Sequence, residues 1–116
     1  MKEMVSQLYK IIETEKPDII VTEMTVVTRN AQAQRNLTMI LSAIYGYCVE
    51  KDIWYHSYRP TEWRSLIDTD RMPKGRKREE YKEWSISIIK EKYGIDANDD
   101  VCDAILIGQA YVNKFT

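Results

Sequence analysis

"DIIVTE", residues 18–23, is a short β-branched apolar run with an acidic residue at each end. Three consecutive aliphatic residues between polar neighbours predict a buried strand of the kind found in parallel sheets. Upstream, Met1, Met4, Val5, Leu8, Ile11 and Ile12 recur at helical spacing, which predicts an amphipathic helix over roughly the first fourteen residues. Pro17 ends that helix, because proline disfavours helical backbone in the residue before it. Downstream, "TRNAQAQRN" (28–36) is polar, and Leu37, Ile40, Leu41, Ile44 and Cys48 then mark a long helix. Gly46 inside it costs about 1 kcal/mol relative to alanine, a cost that points to close packing there. "DIWYHSY" (52–58) supplies a second strand. Strand, helix, strand is a βαβ unit, so the strands are expected to be parallel with a right-handed crossover.

Beyond the second strand, Pro60 and Thr61 open a short helix through Ile67, with Thr61 as its N-cap. "DTDRMPKGRK" (68–77) is charged and turn-rich and predicts a mobile loop. A helix over about residues 77–90 turns Tyr81, Trp84, Ile88 and Ile89 inward, and Gly94 stands where a helix commonly ends. The last helix starts near Asp99 and is expected to bury Ala104, Ile107, Gly108 and Tyr111. Five helices around two strands make a single α/β domain with part of its sheet missing. Two parallel strands do not form a stable sheet alone, and they want cover on both faces. Further strands are therefore expected from a segment outside these residues or from another chain.

A chain of 116 residues fits one domain, and an apolar share of 44% is ordinary for a globular core. No uncharged run is long enough for a bilayer and no basic-then-apolar leader occurs, so the cytoplasm is the expected compartment and no membrane partner is expected. Cys48 and Cys102 are far apart within helical patterns and are expected to be reduced core residues. Charge is unevenly spread. "RMPKGRKREEYK" (71–82) holds six basic residues against Glu79 and Glu80, while the remainder carries 11 basic and 16 acidic residues. An acidic body with one basic segment fits a partner that is anionic at one place, although a charge run can also be a solvated face.

Glu23 closes the first strand, at the carboxyl end where open α/β sheets place their ligands. "NDDVCDA" (98–104) sets Asp100 and Asp103 three apart at a helix start, on one side of it. Side chains from a strand end and a helix start can converge on a hard cation, which takes oxygen ligands. Acidic residues are equally favoured at helix starts by capping and the helix dipole, and a strand-end glutamate can simply be solvated. His56, mid-strand, suits packing or solvent exposure. Trp54, Trp63 and Trp84 fit the core, with Trp63 the one that could lie near a cleft. "TRNAQAQRN" precedes a helix N-terminus beside Glu23, where it could approach an anionic strand.

"DIIVTE", the helix around Gly46, "YRPTEWRSLI", "KGRKREEYKEW" and "DDVCDAILIGQAY" follow one another along nearly the whole chain. In that order they resemble the RuvC-like Holliday junction resolvases, proteins of ribonuclease H-like fold. Glu23 matches the family's strand-end glutamate. Tyr58, Pro60, Trp63 and Arg64 match its "Y-x-P-x-x-V-K" stretch, with arginine in place of lysine. Asp100, Asp103 and Ala104 match its terminal "D-x-x-D-A". Lys82 is taken as the functional lysine of the basic helix, with Lys77 and Arg78 as rivals. The family's opening hairpin, which carries a further aspartate, has no counterpart here, so the domain is expected to be incomplete at its amino end. It is the same absence as the missing strands.

The resemblance implies a metal-dependent endonuclease acting on four-way or branched DNA, a homodimer, and Mg2+ or Mn2+ held by Glu23, Asp100 and Asp103. One ion would activate water and a second would stabilise the leaving 3′ oxygen. It implies phosphate contacts from Arg64, Arg76, Lys77, Arg78 and Lys82. Without the hairpin's aspartate, three carboxylates are expected to hold two ions poorly and to cleave little. The rival expectation is a non-catalytic DNA-binding or assembly protein that kept the fold without a complete site. Another nuclease of the same fold is a further alternative.

Overall fold

The structure is a computed structural model that describes residues 2–24, 30–67, 72, 73 and 77–116. Its elements run α1 (Lys2–Glu15), β1 (Ile19–Glu23), α2 (Ala31–Lys51), β2 (Trp54–Tyr58), α3 (Pro60–Ser65), α4 (Arg78–Tyr93) and α5 (Asp99–Phe115). The class is mixed α/β, mostly helical, with one small parallel sheet in which β1 pairs with β2. The chain divides into two compact units, Met1–Ser57 and Tyr58–Thr116.

In the first unit, α1 packs on α2. Tyr9 and Tyr47 stack with centroids 4.4 Å apart, the Tyr9 hydroxyl donates to the Ala43 carbonyl, and the Tyr47 hydroxyl donates to Glu13. The core there is Ile12, Ile44, Tyr47 and Cys48. Helix α2 begins six residues before its apolar stripe. Asn30 caps it by accepting from the amides of Gln32 and Ala33, and alanine, glutamine and arginine, all good helix formers, fill its polar first turns. Asp52 does not belong to β2. It ends α2 in the left-handed conformation, φ 57°, with its amide turned back to the helix carbonyls. Gly46 is exposed, and among the described residues a Cβ there would meet nothing within 4 Å, so these residues do not supply the expected close packing. Trp54 is 67% exposed rather than buried, because it opens β2 directly after that turn instead of lying mid-sheet.

In the second unit, α5 packs against both α3 and α4. The cap of α3 is Arg59, not Thr61: Pro60 takes the first helical position, and Glu62 accepts from the Arg59 amide at 3.1 Å. Gly94 closes α4 at φ 67°, a conformation that L-residues with a Cβ rarely adopt. The core comprises Tyr58, Trp63, Trp84, Ser85, Ile88, Ile89, Cys102, Leu106, Ile107 and Ala110. Ile107 is buried as expected, but the stripe of α5 runs through Cys102, Leu106 and Ala110 and so is turned from the expected face. Ala104 is exposed, and Gly108 and Tyr111 are half-buried, because α5 is covered by two helices along the 102–106–110 line. Cys48 and Cys102 are free, buried thiols. Burial raises both above the usual thiol range, and the charges of Asp103 and Asp99 add to the effect at Cys102.

Candidate nucleic-acid interface

Helix α3 is too short to hold a long side chain still by itself, yet Arg64 at its end is fixed. Its guanidinium carbon lies 4.1 Å from the centre of the Tyr81 ring and 5.3 Å from that of its neighbour Trp63. A guanidinium over an aromatic face is held by the ring quadrupole, at about 0.5–2 kcal/mol depending on desolvation. Tyr81 stands on the first turns of α4, so the stack ties the end of α3 to the amino end of α4. The Arg64 Nε is buried and has no hydrogen-bond partner among the described residues. Trp63 is fully buried and lies 6.2 Å from Trp84, which makes it a core residue and not a base platform.

Lys77 stands at the N-cap of α4 and Arg78 at its first position, both exposed. Lys82 follows one turn on, half-buried, with its ammonium 3.7 Å from Glu79. Cations at a helix N-terminus oppose the dipole, which favours anions there. Glu79 and Glu80 in the same turn partly offset this. A phosphate would relieve it further, meeting both the free amides of the first turn and the side-chain cations. Arg76 and most of the 68–77 loop lie outside the described residues.

Glu23 is half-buried as the last residue of β1, in the first unit. Asp100 is exposed and Asp103 half-buried on the first turns of α5, in the second unit. Capping of α5 falls to Asn98, which accepts from the Val101 amide at 2.9 Å, so neither aspartate is needed for it. The Lys90–Asp96 ion pair, 3.3 Å, keeps the 94–98 link beside the carboxyl end of α4, whereas Lys77, Arg78 and Lys82 occupy the opposite end. Sixteen residues of helix span about 24 Å, so Asp100 and Asp103 follow the end of α4 opposite to the one that carries Lys77, Arg78 and Lys82. The aspartate oxygens are hard donors of the type Mg2+ and Mn2+ take. Among the described residues, no three His, Cys, Asp or Glu side chains are grouped to hold an ion.

The pairing of Arg64 with Tyr81 is invisible in the sequence, since it joins residues on either side of a long charged loop. His56 is half-buried mid-strand. No helix among the described residues is long and apolar enough to cross a membrane. No protein-family model matches the chain, and no curated protein matches it.

Proposed function

We propose that this chain is a ribonuclease H-like domain of a RuvC-like, metal-dependent endonuclease that hydrolyses phosphodiesters in four-way or branched DNA, as a cytoplasmic homodimer. The observation that carries the nucleic-acid part is the stack of Arg64 on Tyr81 beside the basic amino end of α4. A planar guanidinium held still presents its donors to a phosphate at little further entropic cost. Lys77, Arg78 and Lys82, with Arg76 just before them in sequence, extend that contact along a strand. Such contacts set position and register rather than sequence preference. The order of the motifs supports the catalytic part. Glu23, Asp100 and Asp103 would hold Mg2+ or Mn2+, which when bound supplies Lewis acidity at the phosphate and an activated water. Lys82, the functional lysine by the resemblance, stands toward the other end of α4 from the aspartates and would steady a neighbouring phosphate of the same strand.

The test is a pair of anisotropy titrations, with a labelled four-way junction and with a linear duplex of equal length, followed by incubation of the junction with Mg2+. Tighter binding of the junction, with weak metal-dependent cleavage that is lost in Asp103→Asn, is the expected result. Equal affinity for both DNAs removes the junction assignment. Junction binding with no metal-dependent cleavage instead identifies a binding protein that kept the fold without the chemistry.

A further inference from the structure

Beside the end of β1, the first unit has a pocket of about 310 Å3, walled by Met24, Gln34, Thr38, Leu41, Ser42 and Tyr45. Its size is at the lower end of ligand pockets, roughly 300–1,000 Å3, and suits a single flat ring system. Gln34, Thr38 and Ser42 follow one another at intervals of four along α2 and form its polar side. Met24 and Tyr45 are 43% and 55% exposed, large apolar groups left open at the rim.

Two features point to an occupant. The Gln34 amide oxygen is shielded from water and has no hydrogen-bond partner among the described residues. The Thr38 hydroxyl, one turn along, is committed to the Gln34 backbone carbonyl at 2.8 Å. A buried acceptor without a donor is left at a cost that an incoming donor would relieve. Gln34 as a whole is half-exposed and lines the pocket, so its side-chain amide is within reach of an occupant. Independently, the exposed Tyr45 ring is held in place. Tyr55 meets it edge-on at 5.5 Å and 81°, and the Tyr55 hydroxyl is itself hydrogen-bonded to Thr22 of β1 at 2.7 Å. A tyrosine that is both exposed and fixed is a ready stacking surface.

We infer that this pocket receives one unstacked nucleobase of a bound strand, with Tyr45 under its face and the Gln34 amide on its edge. This inference rests on the nucleic-acid function proposed above. A primary amide pairs in bidentate fashion with adenine, accepting from the 6-amino group and donating to N7, so adenine is the base the pocket selects. Met24 adds a polarisable wall against the ring.

The experiment uses the full chain and two probes. In the first, deoxyadenosine and deoxythymidine are titrated while the Gln34 side-chain amide and the Tyr45 ring are followed by NMR. Shifts at both groups with deoxyadenosine, larger than with deoxythymidine, are expected. Absence of shifts overturns the pocket even if DNA is bound elsewhere. In the second, a branched DNA with one unpaired adenine is compared with the same DNA carrying an abasic site. The parent should prefer the adenine by about tenfold, Gln34→Leu and Tyr45→Ala should lose that preference, and Tyr45→Phe should keep it. Equal binding of the two DNAs by the parent overturns the inference. If no DNA binds at all, the function proposed above fails, while the nucleoside titration still decides the pocket. Sedimentation velocity of Tyr45→Ala completes the test. A changed association state would make this face a contact between copies of the chain, against the inference.

Discussion

Arg64 bears its charge on a rigid mount, and that is what separates it from a lysine at the same place. Arg64→Lys keeps the charge but gives up the planar stack on Tyr81, so affinity for DNA should fall about tenfold, read by anisotropy. Unchanged affinity would mean that any cation serves. For the carboxylates, Mn2+ is the direct probe: paramagnetic broadening should reach Glu23, Asp100 and Asp103 together. Broadening at the start of α5 with none at Glu23 would remove Glu23 from the ligand set. Two tyrosines should make stability fall at alkaline pH. Burial raises Tyr47 above 10.0, helped by its hydrogen bond to Glu13, and burial raises Tyr58, helped by Tyr111 and Glu62. For both, the native state holds the phenolic proton more tightly than the unfolded chain does. Their contribution is therefore complete below about pH 10 and falls as pH rises through the folded values. Denaturant midpoints should be flat at neutral pH and drop above that point, and a flat profile to higher pH would contradict it.

Helix ends are where the sequence was easiest to read and also where it misled. Pro17, Gly94 and the Asn98 region punctuate the chain as local chemistry demands. Gly94→Ala should cost about 1 kcal/mol because its φ of 67° places a Cβ against the backbone, and Asn98→Ala a similar amount through the lost cap. Denaturant titration of each variant checks both, and a neutral Asn98→Ala would show that Asp99 or Asp100 can take over the cap. The start of α2 was missed because helix propensity and an asparagine cap decided it, whereas the apolar periodicity began later. Of the face expected for α5 only Ile107 is in the core, because two helices cover the helix and a stripe read from one segment cannot know the direction of its partners. The basic start of α4 was visible as composition. Its link to Arg64 was not, because stacking across a long loop leaves no local mark. Replacing Lys77, Arg78 and Lys82 with alanine should weaken binding to every DNA sequence and reduce the salt slope by up to about three counterions. Parallel slopes for variant and parent would reduce the segment to a solvated face.

The two units differ in how much they bury. The second has two tryptophans, Tyr58 and a run of aliphatic residues in its core, whereas the first has Ile12, Ile44, Tyr47 and Cys48, and leaves Met4, Ile11, Met39 and Val49 exposed. Its sheet has two strands, each with an unpaired outer edge among the described residues, and every residue of β1 is only half-buried. Edges of this kind invite pairing with another chain. Amides of β1 and β2 should therefore exchange with solvent faster than those in the core of α4 and α5, and protection of β1 should grow with protein concentration if copies associate there. Equal protection in both units at all concentrations would show that the small sheet is self-sufficient. Cys48 and Cys102 offer an unplanned clock for the same process. Each unit has one thiol, each is sealed in its own core, and neither is paired. A brief pulse of alkylating reagent during unfolding would thus stamp each half of the chain at the moment it opens, and peptide masses would report the order of events without any introduced label.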